Sequence, residues 1–254
     1  MNLTKISALV AMTLCMLAAT PITARAGGAP APAHEDFDYD HQRDWHVESG
    51  DAQSPVTIAA KDTTHARVYR DENGAIVPHF DRVGAKVIDN GHTIQIVPDK
   101  FIGATIRGRH FTLKQIHFHA PAEHPIDGAT YPVEGHFVFR SQDGRLAVVA
   151  VYYRIGAENA QFDSVMRAVR DKDEAAIGSF DATALLPDHL GTYYHYLGSL
   201  TTPPLTENVE WYVLAYPAEL SAADIASFTM RYSHNARVAQ PLNGRPLLRY
   251  DVKR

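Results

Sequence analysis

The chain has 254 residues, 45% of them hydrophobic, and a formal net charge of −5. This length and apolar content suit one large domain, or two small ones, with a buried core. No run of five basic residues occurs, so a nucleic-acid partner is not expected. Cys15 is the only cysteine, which excludes an intrachain disulfide.

The first 26 residues have the pattern of a secretory signal peptide. Lys5 precedes the apolar run ISALVAMTLCMLAA, and a small-x-small cleavage pattern ends at Ala26. A transmembrane anchor is the alternative, but the apolar run is too short to span a bilayer. Lipid attachment at Cys15 is disfavoured because Leu14 precedes it where a small residue is expected. We predict a signal peptide over residues 1–26 and a periplasmic or secreted protein with no membrane association after cleavage.

A flexible leader, GGAPAPAHED, is predicted over residues 27–36, and one domain over residues 37–254. Short alternating segments dominate this domain and are separated by turn signals such as Asp143-Gly144. The predicted strands are 92–98, 111–120, 133–141, 146–154 and 209–216. The alternation predicts a mostly β domain.

Two segments have the spacing of short surface helices. The first, residues 157–173, repeats apolar side chains at intervals of three and four: Phe162, Val165, Met166 and Val169. The second, residues 221–232, begins at Ser221 as N-cap, with Asp224 at the capping-box position.

The segment from Lys114 to Phe139 concentrates four histidines and three acidic residues among apolar ones. Strand alternation assigns Leu113, Gln115, His117 and His119 to one face of the first strand, and Glu134, His136 and Val138 to one face of the next. If these strands are antiparallel neighbours, His117, His119 and His136 converge. Three neutral imidazoles with an open fourth position are the ligand set of a catalytic zinc.

The neighbours of these histidines support a metal site. Gln115 and Glu134 each lie two residues before a candidate ligand, where they can hold its outer ring nitrogen. His124 follows Glu123 in a loop, off the alternation, and we expect it to have a structural hydrogen-bonding role. Six other histidines lack such spacing and receive no role: His65, His79, His110, His189, His195 and His234.

A cupin metal site is a rival interpretation of the same residues. His117-x-His119-x3-Glu123 matches the first half of a cupin motif, in which Glu123 would bind iron or manganese on a jelly roll. The glycine before the first histidine and the later Pro-x-Gly-x2-His of that motif are missing. This absence disfavours the cupin.

Several motifs in order resemble the α-class carbonic anhydrases over nearly the whole predicted mature chain. They are QSP (53–55), NGH (90–92), QIHFHA (115–120), AEH (122–124), EGH (134–136), GSLTTPP (198–204), VEW (209–211) and NARVAQPLNGR (235–245). The resemblance implies a central, mainly antiparallel twisted β-sheet with Zn²⁺ at the foot of a conical cavity. It also implies reversible hydration of carbon dioxide to bicarbonate and a proton by a zinc-bound hydroxide.

By this resemblance, His117, His119 and His136 are the zinc ligands. Thr201 would take a hydrogen bond from the hydroxide and donate its own to Glu123. Gln115, Glu134 and the backbone carbonyl of Asn235 would hold the three ligands, with His124 and Tyr196 in a buried network around Glu134. His92 would be the proton shuttle, and Thr202 would contact the substrate or an anion. The apolar carbon dioxide pocket would be Val138, Val148, Leu200 and Trp211.

The sequence also departs from the family. The usual His-Trp-x-Tyr opening is missing before Trp45, and Tyr39 is a candidate for the cavity tyrosine. The disulfide of many exported bacterial members is absent, with Leu205 at one cysteine position. An esterase or other zinc hydrolase using the same site, and a non-catalytic homologue, stay open as alternatives. A homodimer is also left open.

Overall fold

Within residues 37–47, 50–66 and 74–252, which the computed structural model describes, thirteen strands join in one mixed sheet. The predicted signal peptide and leader lie outside these residues. The strands are β1 (Thr64–His65), β2 (Ile76–His79), β3 (Val83–Asp89), β4 (Ile94–Pro98), β5 (Gly103–Ile106), β6 (Arg109–His119), β7 (Val133–Ser141), β8 (Leu146–Ile155), β9 (Glu174–Phe180), β10 (Thr192–Ser199), β11 (Glu207–Leu214), β12 (Ala218–Leu220) and β13 (Leu248–Asp251).

The strand order is β1-β13-β10-β11-β8-β7-β6-β4-β3-β9, with β12 beside β8, and β5 between β2 and β6. Most neighbouring pairs are antiparallel, and the parallel pairs are β1 with β13, β11 with β8 and β12 with β8. The predicted class, a mostly β domain around a mainly antiparallel sheet, is confirmed.

Two α-helices lie in the described ranges, α1 (Ala160–Ala168) and α2 (Ala222–Thr229). The side chain of Asn159 caps α1, and the capping box between Ser221 and Asp224 that the sequence predicted is present at α2. Helix α1 is shorter than the predicted 157–173, because Asn159 fixes its start and the chain enters β9 at Glu174. Neither α-helix is long and apolar enough to cross a membrane.

The sheet separates two apolar clusters. The larger cluster holds Ile116 and Phe118 of β6, with Phe162 of α1 5.0 Å from Phe118 between ring centroids. The smaller cluster lies on the other face and includes Val148, Tyr196 and Trp211. Alternation along β6 therefore directs His117 and His119 away from the larger core.

A β-bulge in β6 corrects one prediction. Leu113 pairs with Phe139 while Gln115 pairs with Val138, so the register shifts at Lys114. An extra residue reverses the alternation beyond it. Leu113 therefore packs in the larger core with Ile116, and its predicted place on the face of Gln115, His117 and His119 is wrong.

Candidate metal centre and active site

Three histidines converge where β6 and β7 run side by side. These strands are antiparallel, and His117 lies directly opposite His136. The ring centroid of His119 is 4.9 Å from that of His117 and 4.6 Å from that of His136. One nitrogen from each ring lies within 4.8 Å of the others, so the group could hold a metal ion.

Each of these rings is hydrogen-bonded through its outer nitrogen. Gln115 Oε1 lies 2.8 Å from His117 Nδ1, and the backbone oxygen of Asn235 lies 2.6 Å from His119 Nδ1. Glu134 Oε1 lies 2.8 Å from His136 Nε2. Because all three oxygens are acceptors, the outer nitrogens carry the protons and the inner ones keep their lone pairs. Gln115, Glu134 and Asn235 thus lie where the resemblance placed them.

The inner nitrogens have the character of metal ligands. His119 is fully buried, and its Nε2 has no hydrogen-bond partner among the described residues. A buried ring nitrogen without a partner is unusual in a folded protein and calls for an explanation. A metal ion on the lone pair of Nε2 supplies one, so the residues present fit a metal ion.

The protonation state of the rings suits the same role. Burial lowers the pKa of His117 well below 6.5, and the neighbouring His119 and His136 lower it further. Burial also lowers the pKa of His119, although the charge of Glu123 opposes this shift. Both imidazoles are therefore neutral at pH 7, which is the form that binds metals.

A buried network extends from His136 away from the metal centre. Glu134 Oε1 also accepts a hydrogen bond from His124 Nδ1 at 2.7 Å, and Glu134 Oε2 accepts one from the His124 backbone amide at 2.9 Å. His124 Nε2 lies 2.8 Å from the hydroxyl of Tyr196, which donates to Ser54 Oγ. Burial raises the pKa of Glu134, but His124 and His136 outweigh it and the net shift is downward.

Glu123 and Thr201 are both buried, but the structure does not join them. Glu123 Oε1 accepts a hydrogen bond from the backbone amide of Arg237 at 2.7 Å. Glu123 Oε2 has no hydrogen-bond partner in the described part of the chain. The bond that the resemblance implied from Thr201 to Glu123 is therefore not formed, and this detail of the prediction needs correction.

The side chains predicted to form the apolar pocket lie together. Val148 and Trp211 belong to the smaller apolar cluster, and Val138 and Leu200 pack against it. The Trp211 ring lies 4.9 Å from that of His136 between centroids, so this cluster adjoins the metal centre. Thr202 is half-buried in the turn after Leu200, where its carbonyl accepts a bond from the Leu205 amide.

His92 lies in the turn before β4 and is half-buried. Its backbone amide donates to Asn90 Oδ1 at 3.0 Å, and its carbonyl accepts from Asn235 Nδ2 at 2.9 Å. The backbone carbonyl of Asn235 also accepts the hydrogen bond from His119 Nδ1, so one residue contacts both the turn and the metal centre.

Two aromatic residues of the opening segment reach this region. Phe37 stacks on the His92 ring, with centroids 4.1 Å apart and an interplanar angle of 9°. Burial raises the pKa of Tyr39, and the charge of Glu123 raises it further, so Tyr39 lies near that carboxylate. The sequence drew attention to Tyr39 but missed Phe37, although Phe37 lies two residues before it, at the spacing of the missing Trp-x-Tyr.

Comparison with known proteins gives the family. Residues 40–251 match the family model described as eukaryotic-type carbonic anhydrase. A carbonic anhydrase from Pectobacterium carotovorum is 37% identical over 205 residues, which are 79% of this chain and 81% of that protein. The chain therefore belongs to the eukaryotic-type, or α-class, carbonic anhydrase family.

Solved structures show the same fold. The α-carbonic anhydrase from Thermovibrio ammonificans, in complex with the inhibitor sulfanilamide, has a TM-score of 0.71 and 34% identity, over 78% of this chain and 87% of that one. Dioscorin complexed with ascorbate has a TM-score of 0.73 and 26% identity, over 80% and 87% of the two chains. Since similar folds carry different names, the activity of this chain must be argued from its site.

Proposed function

We propose that the chain catalyses the reversible hydration of carbon dioxide to bicarbonate and a proton, with Zn²⁺ held by His117, His119 and His136. The observation that supports this most is the unpartnered, buried Nε2 of His119 beside two further imidazoles. Zinc bound there would lower the pKa of water from about 15.7 to about 7, a value established for carbonic anhydrases themselves, and so supply a nucleophile at neutral pH.

The residues around the centre have distinct tasks in this proposal. Carbon dioxide is apolar and weakly electrophilic, so Val138, Leu200 and Trp211 hold it in a dry pocket beside the nucleophile. Thr201 orients the nucleophile, and Thr202 contacts the substrate or product. Glu123 Oε2, which is buried and unpartnered, is an acceptor available to a hydroxyl donor when substrate binds. A ring nitrogen of His92 takes up the released proton and passes it to solvent.

The alternatives are less well supported. A non-catalytic homologue would not need three imidazoles whose outer nitrogens are each held by an acceptor. The side chains proposed to receive the substrate, Val138, Leu200 and Trp211, are apolar, which matches carbon dioxide, a small apolar molecule.

Stopped-flow measurement of carbon dioxide hydration on purified protein tests the proposal. Activity should be lost on removal of metal with a chelator and should return with about one equivalent of Zn²⁺ per chain. Full activity in metal-free protein, or a requirement for iron or manganese, would reject the zinc site. Ester hydrolysis without carbon dioxide hydration would support the hydrolase instead.

We further propose that the protein is exported, because of the sequence pattern of residues 1–26. Cell fractionation and N-terminal sequencing of the protein expressed with its full sequence are the test. A mature chain beginning at Gly27 in the periplasm or medium is expected. An intact Met1 in the cytoplasm would contradict export.

A further inference from the structure

We propose that Glu207 is a positioning residue for Thr201: its carboxylate ties the loop that carries Thr201 to the segment of residues 50–54. This inference rests on the proposed function, because it gives Glu207 an indirect role in the hydration reaction, through the side chain of Thr201. Glu207 lies between the motifs GSLTTPP and VEW and belongs to neither.

Thr201 belongs to a loop between β10 and β11 whose two ends lie side by side. Ser199, the last residue of β10, is paired with Glu207, the first residue of β11. The amide of Leu200 donates to the carbonyl of Thr206 at 2.9 Å and closes the loop at its base. Thr201 is the next residue along, so its position depends on how the two ends of the loop are held.

The segment that ends at Ser54 contacts both ends of this loop. At the first end, the Ser54 amide donates to Ser199 Oγ at 2.9 Å, and the Ser199 amide donates to Ser54 Oγ at 3.0 Å. At the second end, the Ala52 amide donates to Glu207 Oε1 at 2.8 Å, and Gln53 Nε2 donates to the same oxygen at 3.2 Å. The carboxylate of Glu207 therefore supplies the second of two attachments.

Gly50 leaves the room that this carboxylate occupies. A Cβ at Gly50 would lie 2.2, 2.5 and 2.6 Å from Oε2, Oε1 and Cδ of Glu207, far inside van der Waals contact. The backbone of Gly50 is also in the left-handed region, with a φ of +80°, which favours glycine. An alanine at this position would therefore push the carboxylate away from the Ala52 amide.

The segment is itself fixed to the residue that contacts Glu123. Arg237 is buried, and its Nη1 donates to Gln53 Oε1 at 2.8 Å and to the Ser54 carbonyl at 2.7 Å. The backbone amide of Arg237 donates to Glu123 Oε1 at 2.7 Å. Arg245 Nη2 adds a bond of 2.8 Å to the carbonyl of Gln53. A loop tied to this segment is therefore held in a defined place relative to Glu123.

Removal of the Glu207 carboxylate would loosen one end of the loop. The longer bond from Gln53 Nε2 to the Leu205 carbonyl, at 3.3 Å, would remain there. A disulfide cannot take over the task, because Cys15 is the only cysteine of the chain. A looser loop gives Thr201 more orientations, and an active-site group acts more slowly when more of its orientations are unproductive.

Glu207→Ala should lower kcat/KM for carbon dioxide hydration by about fivefold to twentyfold, the scale of losing hydrogen bonds to a charged group. Zinc content should stay the same. Because Glu207 acts through Thr201, its effect must stay below the roughly hundredfold effect of losing Thr201 itself. Glu207→Gln keeps an acceptor oxygen for the Ala52 amide and should retain most of kcat/KM. Glu158→Ala, at an exposed position, is the matched control and should leave kcat/KM unaltered.

A double-mutant cycle with Thr201→Ala distinguishes positioning from a general structural effect. In the Thr201→Ala background, Glu207→Ala should change kcat/KM by less than about twofold. Gly50→Ala reaches the same contact independently: it should lower kcat/KM on its own and by less than about twofold in the Glu207→Ala background. The left-handed backbone of Gly50 makes this substitution lower the melting temperature in both backgrounds, so kcat/KM is the quantity compared.

Amide hydrogen exchange of the zinc-loaded protein, followed by mass spectrometry, supplies a readout besides activity. In Glu207→Ala, peptides that cover residues 199–206 should exchange about fivefold faster or more. Peptides from β6 and β7 should exchange as slowly as in the unaltered protein, because these strands do not contain the altered contact.

Three outcomes would overturn the inference. The first is an unchanged kcat/KM in Glu207→Ala. The second is an equal loss of kcat/KM in both backgrounds of the Thr201 cycle, or a loss of zinc that accompanies it, since either is an effect elsewhere in the protein. The third is unchanged exchange over residues 199–206. If the unaltered, zinc-loaded protein does not hydrate carbon dioxide, the proposed function fails and the role of Glu207 in that reaction fails with it, while the exchange data still show whether Glu207 holds the loop.

Discussion

Glu134 and His136 are joined by a buried hydrogen bond of 2.8 Å between Oε1 and Nε2. The carboxylate is fully buried and accepts a second bond from His124 Nδ1. Because an ionised carboxylate only accepts, it keeps the proton on His136 Nε2 and leaves Nδ1 for the metal. One oxygen atom therefore sets the tautomer of a candidate ligand and orients its ring.

Glu134→Gln should weaken zinc binding by about tenfold to a hundredfold, the usual effect of losing a group that holds a ligand. The two oxygens of Glu134 accept hydrogen bonds from His124 and His136. A glutamine has only one acceptor oxygen, and its amide nitrogen would face one of these donors. Zinc affinity measured by competition with a chromogenic chelator checks this. Glu158→Gln, at an exposed position, is the control. Equal zinc affinities in the two variants would contradict the assigned role.

His119→Ala should reduce zinc from about one per chain to nearly none and abolish carbon dioxide hydration, because two imidazoles bind zinc weakly. Metal analysis after dialysis measures the content. His110→Ala is a matched control, since His110 is exposed and outside the cluster. Retention of stoichiometric zinc in His119→Ala would mean that the metal is bound at another site.

Thr201→Ala should lower kcat/KM by about a hundredfold while zinc content stays near one per chain. Loss of one well-placed hydrogen-bonding group in an active site has an effect of this size. Thr130→Ala, an exposed change of the same kind, provides the comparison. If kcat/KM is the same in both variants, Thr201 takes no part in the reaction.

The sequence predicted the convergence of the histidines well, because that prediction depended only on alternation and on strand pairing. Residues that are two apart in a strand lie on the same face, which brings His117 and His119 together. The antiparallel neighbour then places His136 opposite His117. The capping box at Ser221 was equally local, since both partners lie within four residues of each other.

Other features depended on a departure from strict alternation or on contacts that no local pattern records. The bulge at Lys114 adds one residue to β6, and its trace in the sequence is the interval of three between the buried Leu113 and Ile116, which the strict alternation applied to this strand did not allow for. The stack of Phe37 on His92 joins residues 55 positions apart. The resemblance implied a bond from Thr201 to Glu123, whereas the amide of Arg237 occupies one oxygen of that carboxylate.

The ionised carboxylate of Glu210 should add to the free energy of unfolding, and this contribution should be lost at low pH. Burial raises its pKa, but bonds from Arg109, Tyr212 and Arg145 outweigh it, and the net pKa lies below 4.5. The folded state then binds fewer protons than the unfolded state, so the stabilisation is present above pH 4.5 and is lost as pH falls through the folded pKa.

Glu210→Gln should therefore have a melting temperature that falls less steeply below pH 4.5 than that of the unaltered protein. At pH 7 the variant should be less stable, because Arg109 loses its carboxylate partner. Thermal melts from pH 3 to pH 7 measure both effects, with Glu158→Gln as control. Parallel curves for the Glu210 variant and the unaltered protein would show that the carboxylate is not linked to folding.

His92→Ala should lower kcat by roughly tenfold or more and leave kcat/KM nearly unchanged. Each hydration releases a proton that must leave before the next turnover, and water alone is a poor acceptor. Histidine is suited to this step because its unperturbed pKa, about 6.5, lies near neutrality. Added imidazole buffer should restore much of the lost kcat, since it supplies the missing acceptor from solution. A parallel fall in kcat and kcat/KM without rescue by imidazole would mean that His92 is structural and that protons leave by another route.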